Sequence, residues 1–105
     1  MAGRIRPLMG AHGAVVEMRM FGGIAFLVNG NMAVAASGQG GLMLRCLPEN
    51  TDALVAEPGV DRVVMRGRAM DGWIRVDEGA VTTEAALRRW IEVGAAFAKS
   101  LPPKV

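Results

Sequence analysis

The sequence predicts an α+β domain of two layers: an antiparallel sheet of about five or six strands with helices packed on one face. Three observations predict it. Two apolar runs flank Asn29-Gly30, the preferred pair for a tight type I′ turn in which both central residues need φ > 0. Short β-rich runs on either side of that hairpin are joined by brief links, which makes a meander. The longest helical stripe comes last, after the strands, and is stopped by Pro102-Pro103.

In chain order, Ile5, Leu8 and Met9 have helical spacing, with Pro7 suited only to a first turn, so a short helix ending by Gly10 is expected, followed by a His12-Gly13 loop. Residues Val15 to Phe21 read as a strand with Val16, Met18 and Met20 on one face and Glu17 and Arg19 on the other. Gly22-Gly23 precedes the hairpin, where a side chain would be in the way or φ must be positive. The hairpin arms are Ile24–Val28 and Met32–Ala36, with Val28 opposite Asn31, Leu27 opposite Met32 and Phe26 opposite Ala33. Both faces of these arms are apolar and so call for cover on both sides. In a domain this small helices cover one face, and a second copy of the chain is expected over the other.

Ser37 to Gly41 is a glycine-rich connection, and Leu42–Leu47 continues as a strand. Pro48 to Glu57 reads as a helix, with Pro48 in its first turn or Asn50 or Thr51 as N-cap, ended by Pro58-Gly59. Val60–Met65 is a strand, Arg66 to Gly72 a loop, and Trp73–Val76 the last strand. The long helix runs from Thr83 to Leu101, capped by Thr82 or Thr83. It carries Leu87, Trp90, Ile91, Gly94, Phe97, Ala98 and Leu101 on one stripe. Gly94 within that stripe suggests close approach to a strand or a second helix.

A chain of 105 residues supports one domain, 1–105, with one core. Hydrophobic content of 51% and charged content of 21% mark a folded chain. With no Tyr, the core must come from Leu, Val, Ile, Met and Ala. A net charge of +2, with acids interleaved among the Arg residues, shows no basic stripe of the kind that nucleic acid attracts. The single Cys46 excludes an intrachain disulfide and a thiol metal cluster. No apolar run is long enough for a signal peptide or a membrane span, so a cytoplasmic protein without membrane contact is expected.

The order of these pieces resembles a known family. Met20-Phe21-Gly22-Gly23-Ile24-Ala25-Phe26-Leu27 with Asn29-Gly30, then Gly40-Gly41-Leu42-Met43-Leu44-Arg45, is similar to the opening of the TfoX/Sxy N-terminal domain. Met70-Asp71-Gly72-Trp73, Trp90 and Ala98-Lys99-Ser100-Leu101-Pro102-Pro103-Lys104 resemble the close of its stand-alone members. The resemblance covers Val15 to Lys104. It implies an antiparallel sheet with helices packed against it, similar to secretion-chaperone-like domains, and a tie to competence-gene regulation. The longer members add a C-terminal domain that this chain lacks, and their N-terminal helix is longer. The resemblance implies no catalytic residue.

Candidate sites are few. Gly22-Gly23 and Gly38–Gly41 could cradle a phosphate through backbone N–H groups, but neither forms a phosphate-loop or dinucleotide motif before a helix, and turn geometry is the plainer reading. Arg66 and Arg68, with Arg45, Arg62 and Arg75 near them on sheet or loop, could bind an anion. The plainer reading is a solvated loop paired with Asp61, Asp71 or Asp77. Cys46 alternates with Leu44 on an apolar face and reads as a core thiol, and His12 has no Cys partner nearby. Trp73 and Trp90 read as core or dimer anchors. The residues expected to form a partner or ligand surface are therefore Met20, Phe21, Gly22, Gly23, Arg66 and Arg68, with no catalytic, cofactor or metal site. The expected function is a non-enzymatic regulatory or protein-interaction domain, forming a homodimer and meeting a protein partner. The competing readings are a nucleic-acid-associated regulator, for which no helix-turn-helix or aromatic-basic strand pattern stands, and a small anionic-ligand domain using Arg66 and Arg68.

Overall fold

Asn29 and Gly30 have φ of 54° and 79°, the left-handed pair that the type I′ turn requires, and the sheet is built outward from them. The structure is a computed structural model and describes residues 1–20, 22–38 and 40–103. The turn joins β2 (Gly23–Val28) to β3 (Asn31–Ala36), and the meander is completed by β1 (Val15–Met20) before them and β4 (Leu42–Arg45) after. β5 (Val60–Met65) and β6 (Arg68–Val76) form a second hairpin. The six strands make one open antiparallel sheet in the order β1-β2-β3-β4-β6-β5, so β6 inserts between β4 and β5 and the chain steps over one strand position after β4.

Three helices accompany the sheet: α1 (Ala2–Met9), α2 (Thr51–Val55) and α3 (Glu84–Ser100). α3 starts where Thr83 caps it, its Oγ1 accepting from the Ala86 N–H at 3.1 Å. It lies across β3 and β4, and Gly94 is the point of contact: a Cβ there would sit 2.2 Å from the Ala33 carbonyl oxygen. The close approach expected of Gly94 is thus made to a strand backbone. No helix among the described residues is long and apolar enough to cross a membrane.

Four local expectations are corrected. Val28 faces Asn31 and Leu27 faces Met32, but Phe26 pairs with Val34, not Ala33, because β3 bulges there. The bulge turns both Ala33 and Val34 toward the helices, and Ala33 is the residue whose carbonyl meets Gly94. Pro7 lies inside α1, not in its first turn. The helix expected over 48–57 is a 3-10 turn, Pro48–Asn50, followed by the five residues of α2, and neither Asn50 nor Thr51 caps it through a side chain. Buried Thr51 instead donates its hydroxyl to the Pro48 carbonyl and accepts from the Gly72 N–H, each at 2.8 Å. The loop expected over 66–72 shrinks to Arg66-Gly67, whose φ values of 53° and 77° repeat the type I′ pattern, so β6 runs back to Arg68.

Alternation along the strands divides the apolar residues between two faces. On one face Phe26, Val28, Val34, Leu42, Leu44, Ile74 and Val76 meet Ile5 and Met9 of α1 and Leu87, Trp90, Ile91 and Ala95 of α3 in the main core. The other face holds a smaller cluster of Ala25, Met32, Ala35, Met43 and Val63, flanked by Met20, Leu27, Met65 and Trp73. Every member of that cluster comes from a strand.

Candidate interaction surface

Cross-strand register sets the composition of this second face. One row runs Met18, Ala25, Ala35, Met43, Arg75, Asp61 from β1 to β5, and beside it lie Val16, Leu27 and Met32. Small residues at the centre let long, unbranched Met side chains close over them, so Ala25 and Ala35 are 0% and 1% exposed without a helix above them. That closure fails at β1. Val16 is 57% exposed and Met18 49%, and both sit on the same side as the cluster. Apolar surface therefore reaches solvent along the β1 border of the face.

Met20 closes β1 on that side, half-buried against the cluster. Phe21 lies outside the described residues. Gly22 has φ of 72°, and Gly23 opens β2 where a Cβ would overlap the Ala36 carbonyl oxygen at 1.8 Å. Gly38 is pressed in the same way against the Gly22 carbonyl, at 2.1 Å from its own would-be Cβ. The two glycine segments thus pack on each other at one end of the sheet. The nearest atoms at these contacts are the carbonyl oxygens of Ala36 and Gly22, with the Gly38 backbone nitrogen also close to Gly23, so both segments are packed turns here.

Arg66 and Arg68 lie at the β5–β6 turn, beside an open concavity of about 590 Å³ lined by Met65, Ala69, Met70 and Asp71 as well. β1 and β5 are opposite edges of a six-stranded sheet, about 24 Å apart at ordinary strand spacing, so Met20 and this Arg pair do not share one site. The other arginines do not join it. Arg62 is held by Asp52 and by Asp71, the latter at 2.9 Å. Arg75 reaches Ser37 Oγ at 3.3 Å. Arg45 is stacked between Trp73 and Phe97, its guanidinium carbon 4.9 and 4.7 Å from the two ring centroids. Among the described residues Arg66, Arg68 and Arg19 make no ion pair.

Cys46, His12, Glu17 and Glu57 each make contacts that tie elements of the fold together. Cys46 is a buried thiol whose pKa burial pushes up, with only a 3.9 Å contact to Thr51 Oγ1. His12 was expected in a loop. It instead clamps the start of the chain to α3: Lys99 Nζ can only donate, so it donates a hydrogen bond to Nδ1 at 2.7 Å, and Nε2–H donates to Glu92 Oε1 at 3.0 Å. Asn31, also missed, is buried and sends its amide to the carbonyls of Ala98 and Pro102 at 3.4 and 3.0 Å, fixing the end of α3 to the hairpin. Arg6 holds Glu17 with two bonds of 2.6 and 2.7 Å, and Arg89 holds Glu57 at 2.7 and 2.6 Å. Those guanidinium bonds keep both carboxyl groups below the usual range. Apart from the Cys46–Thr51 contact, none of these was legible locally, because each joins residues 11 or more positions apart in the chain.

The chain matches the family model of the TfoX N-terminal domain over residues 7–98. No curated protein and no solved structure matches it.

Proposed function

The chain belongs to the TfoX N-terminal domain family, whose domain is of the competence and DNA-uptake regulator type, and we propose that it is a regulatory interaction domain that works without catalysis, by docking a protein partner on the helix-free face of its sheet. The observation that carries this reading is the exposed apolar border of that face, Val16 and Met18, continuous with a Met-rich cluster. Monomeric domains seldom leave contiguous apolar surface on a strand edge, and Met side chains adapt to a partner's contour. The absence of catalysis is supported by the state of the reactive groups: the thiol is buried and its pKa raised, both ring nitrogens of His12 are engaged, and Glu17 and Glu57 are held ionised by Arg. Regulation of transcription or competence is the process we infer for it from the family.

The test is capture of the tagged chain from its own cells beside a M18K/M20K variant, with half of each sample treated with nuclease. A stoichiometric protein that survives nuclease and is lost with the variant is the expected result. A partner set that vanishes with nuclease would replace this reading with nucleic-acid association. A partner retained by the variant would move the site elsewhere, with the Arg66 and Arg68 turn next in line.

A further inference from the structure

The geometry points to β1 as the strand by which two copies of this chain join, edge to edge and antiparallel, about a two-fold axis at Met18. The sheet has two terminal strands, β1 and β5, and they differ. The pairing of β5 with β6 shifts register between Arg62 and Val63, with the extra residues in β6. An irregularity of that kind bends an edge and blunts it against pairing. β1 pairs with β2 without a break over all six residues, contains no Pro, Gly or Lys, and is exposed from Val16 to Arg19.

Which groups β1 offers follows from the hairpin. Val28 and Asn31 flank the two-residue turn and exchange backbone bonds, so Ile24, Phe26 and Val28 of β2 point their polar groups toward β3. Gly23, Ala25 and Leu27 then point theirs toward β1, to Met20, Met18 and Val16. The N–H and C=O groups of Val15, Glu17 and Arg19 are left facing outward. A symmetric antiparallel partner must set outward residues opposite outward residues. Four registers that satisfy that rule have their axis within Val16 to Arg19. One places Glu17 against Glu17 of the second copy, one places Arg19 against Arg19, and like charges directly opposite are unfavourable. The third places Glu17 against Arg19 twice over, Met18 against Met18, and Val16 against Met20. The fourth, with its axis at Val16, pairs only Val15 to Glu17 and leaves exposed Met18 uncovered.

The side chains present fit that third register. Arg19 has no ion pair among the described residues. Glu17 is held by its own Arg6, and a carboxylate has lone pairs enough to accept a second guanidinium. Val16 and Met18, the exposed apolar residues of this border, are covered by their counterparts, and the two helix-free faces become one continuous face. Two six-residue strands bury less than the roughly 1,200 Å² of a standard interface, so a dimer that dissociates in the micromolar range is expected. This rests on the docking reading only for what the joined face is used for; the pairing itself stands on β1.

Sedimentation of the full chain across the micromolar range, beside R19E, tests it. R19E sets acid against acid and is expected to raise the dimer dissociation constant about tenfold or more, while inversion of the whole charge set, R6E/E17R/R19E, restores it. Under oxidation M18C should give an interchain disulfide, because the non-hydrogen-bonded pair on the axis brings the two positions within bonding reach, and V16C should not. A chain that is monomeric throughout the range overturns the proposal. So does a dimer indifferent to R19E, or one cross-linked by V16C and not by M18C. If R19E does not fold, the cysteine pair still decides. Loss of self-association by R19E with the captured partner retained would leave the docking reading standing alone, and the reverse result would leave the dimer standing alone.

Discussion

The two faces of the sheet are built from the same strands and the same residue types, yet one is a core and the other is a surface that covers itself. Leu44 and Met43 are neighbours on β4 and fall on opposite sides. Leu44 is enclosed between the sheet and α3, where branched residues with few rotamers fill fixed space. Met43 lies over Ala35 among other Met side chains, where flexible residues fold down on small ones. The lesson is that burial on a small sheet does not require a second layer. It requires small residues at the centre and long ones around them, and the arrangement breaks at the edge, where β1 has neighbours on one side only.

The largest effect expected separates these faces. Leu44→Ala should cost about 4 kcal/mol, because the rigid layer above cannot collapse into the cavity, whereas Met43→Ala should cost about half as much, since its Met and Trp neighbours can repack. In a domain of this size that corresponds to a fall in Tm of roughly 15 °C or more against roughly 10 °C. Urea melts of the two variants measure it. Equal losses would mean that the second face is as rigid as the first, and the contrast would be gone.

Gly94→Ala probes the covered face from the helix side. The added methyl would meet the Ala33 carbonyl at 2.2 Å and its carbon at 2.9 Å, both backbone atoms that cannot rotate away. Ala gains about 1 kcal/mol of helix propensity over Gly, and overpacking against a fixed strand opposes it by more. A net loss of about 2 kcal/mol is expected. A gain in stability would show that α3 rides loosely on β3, and the two faces would be more alike than their packing suggests.

Legibility follows the range of the interactions. The Asn29-Gly30 turn, the α3 stripe with its Thr83 cap and the alternation of β1 could be read because each is set by residues within one or two turns of one another. The Arg66-Gly67 turn has the same pair of left-handed φ values as Asn29-Gly30 but reads from the sequence as part of a loop, because Arg seldom occupies φ of 53° and its charge resembles a solvated segment. The Ala33 bulge answers to Gly94, some sixty positions away, and the Lys99–His12–Glu92 clamp spans nearly the whole chain. The candidate surface suffered most. Met20 and Arg66 belong to one expected surface, and the sheet parts them by placing β1 and the β5–β6 hairpin at opposite ends.

The smallest effect concerns what fastens the helix layer. Arg89 of α3 grips Glu57, just beyond α2, with two short bonds. Both side chains remain well exposed, so Glu57→Gln should cost no more than about 1 kcal/mol at neutral pH. The sign of its pH dependence is fixed by the direction of the shift. The hydrogen bond from Arg89 lowers the pKa of Glu57 in the folded chain, so its contribution is present above the unfolded carboxyl pKa, near 4.3, and is lost as pH falls through the lower folded value. The wild-type chain and Glu57→Gln should therefore differ in Tm at neutral pH and converge on acidification. Arg45, by contrast, stacks on Trp73 and Phe97 and makes no ion pair among the described residues, so replacing it with Met should shift Tm by an amount that does not change over the same pH range. A Glu57→Gln difference that persists below the carboxyl range would mean that the glutamate acts by packing, and that its charge plays no part in fastening α3 to the segment after α2.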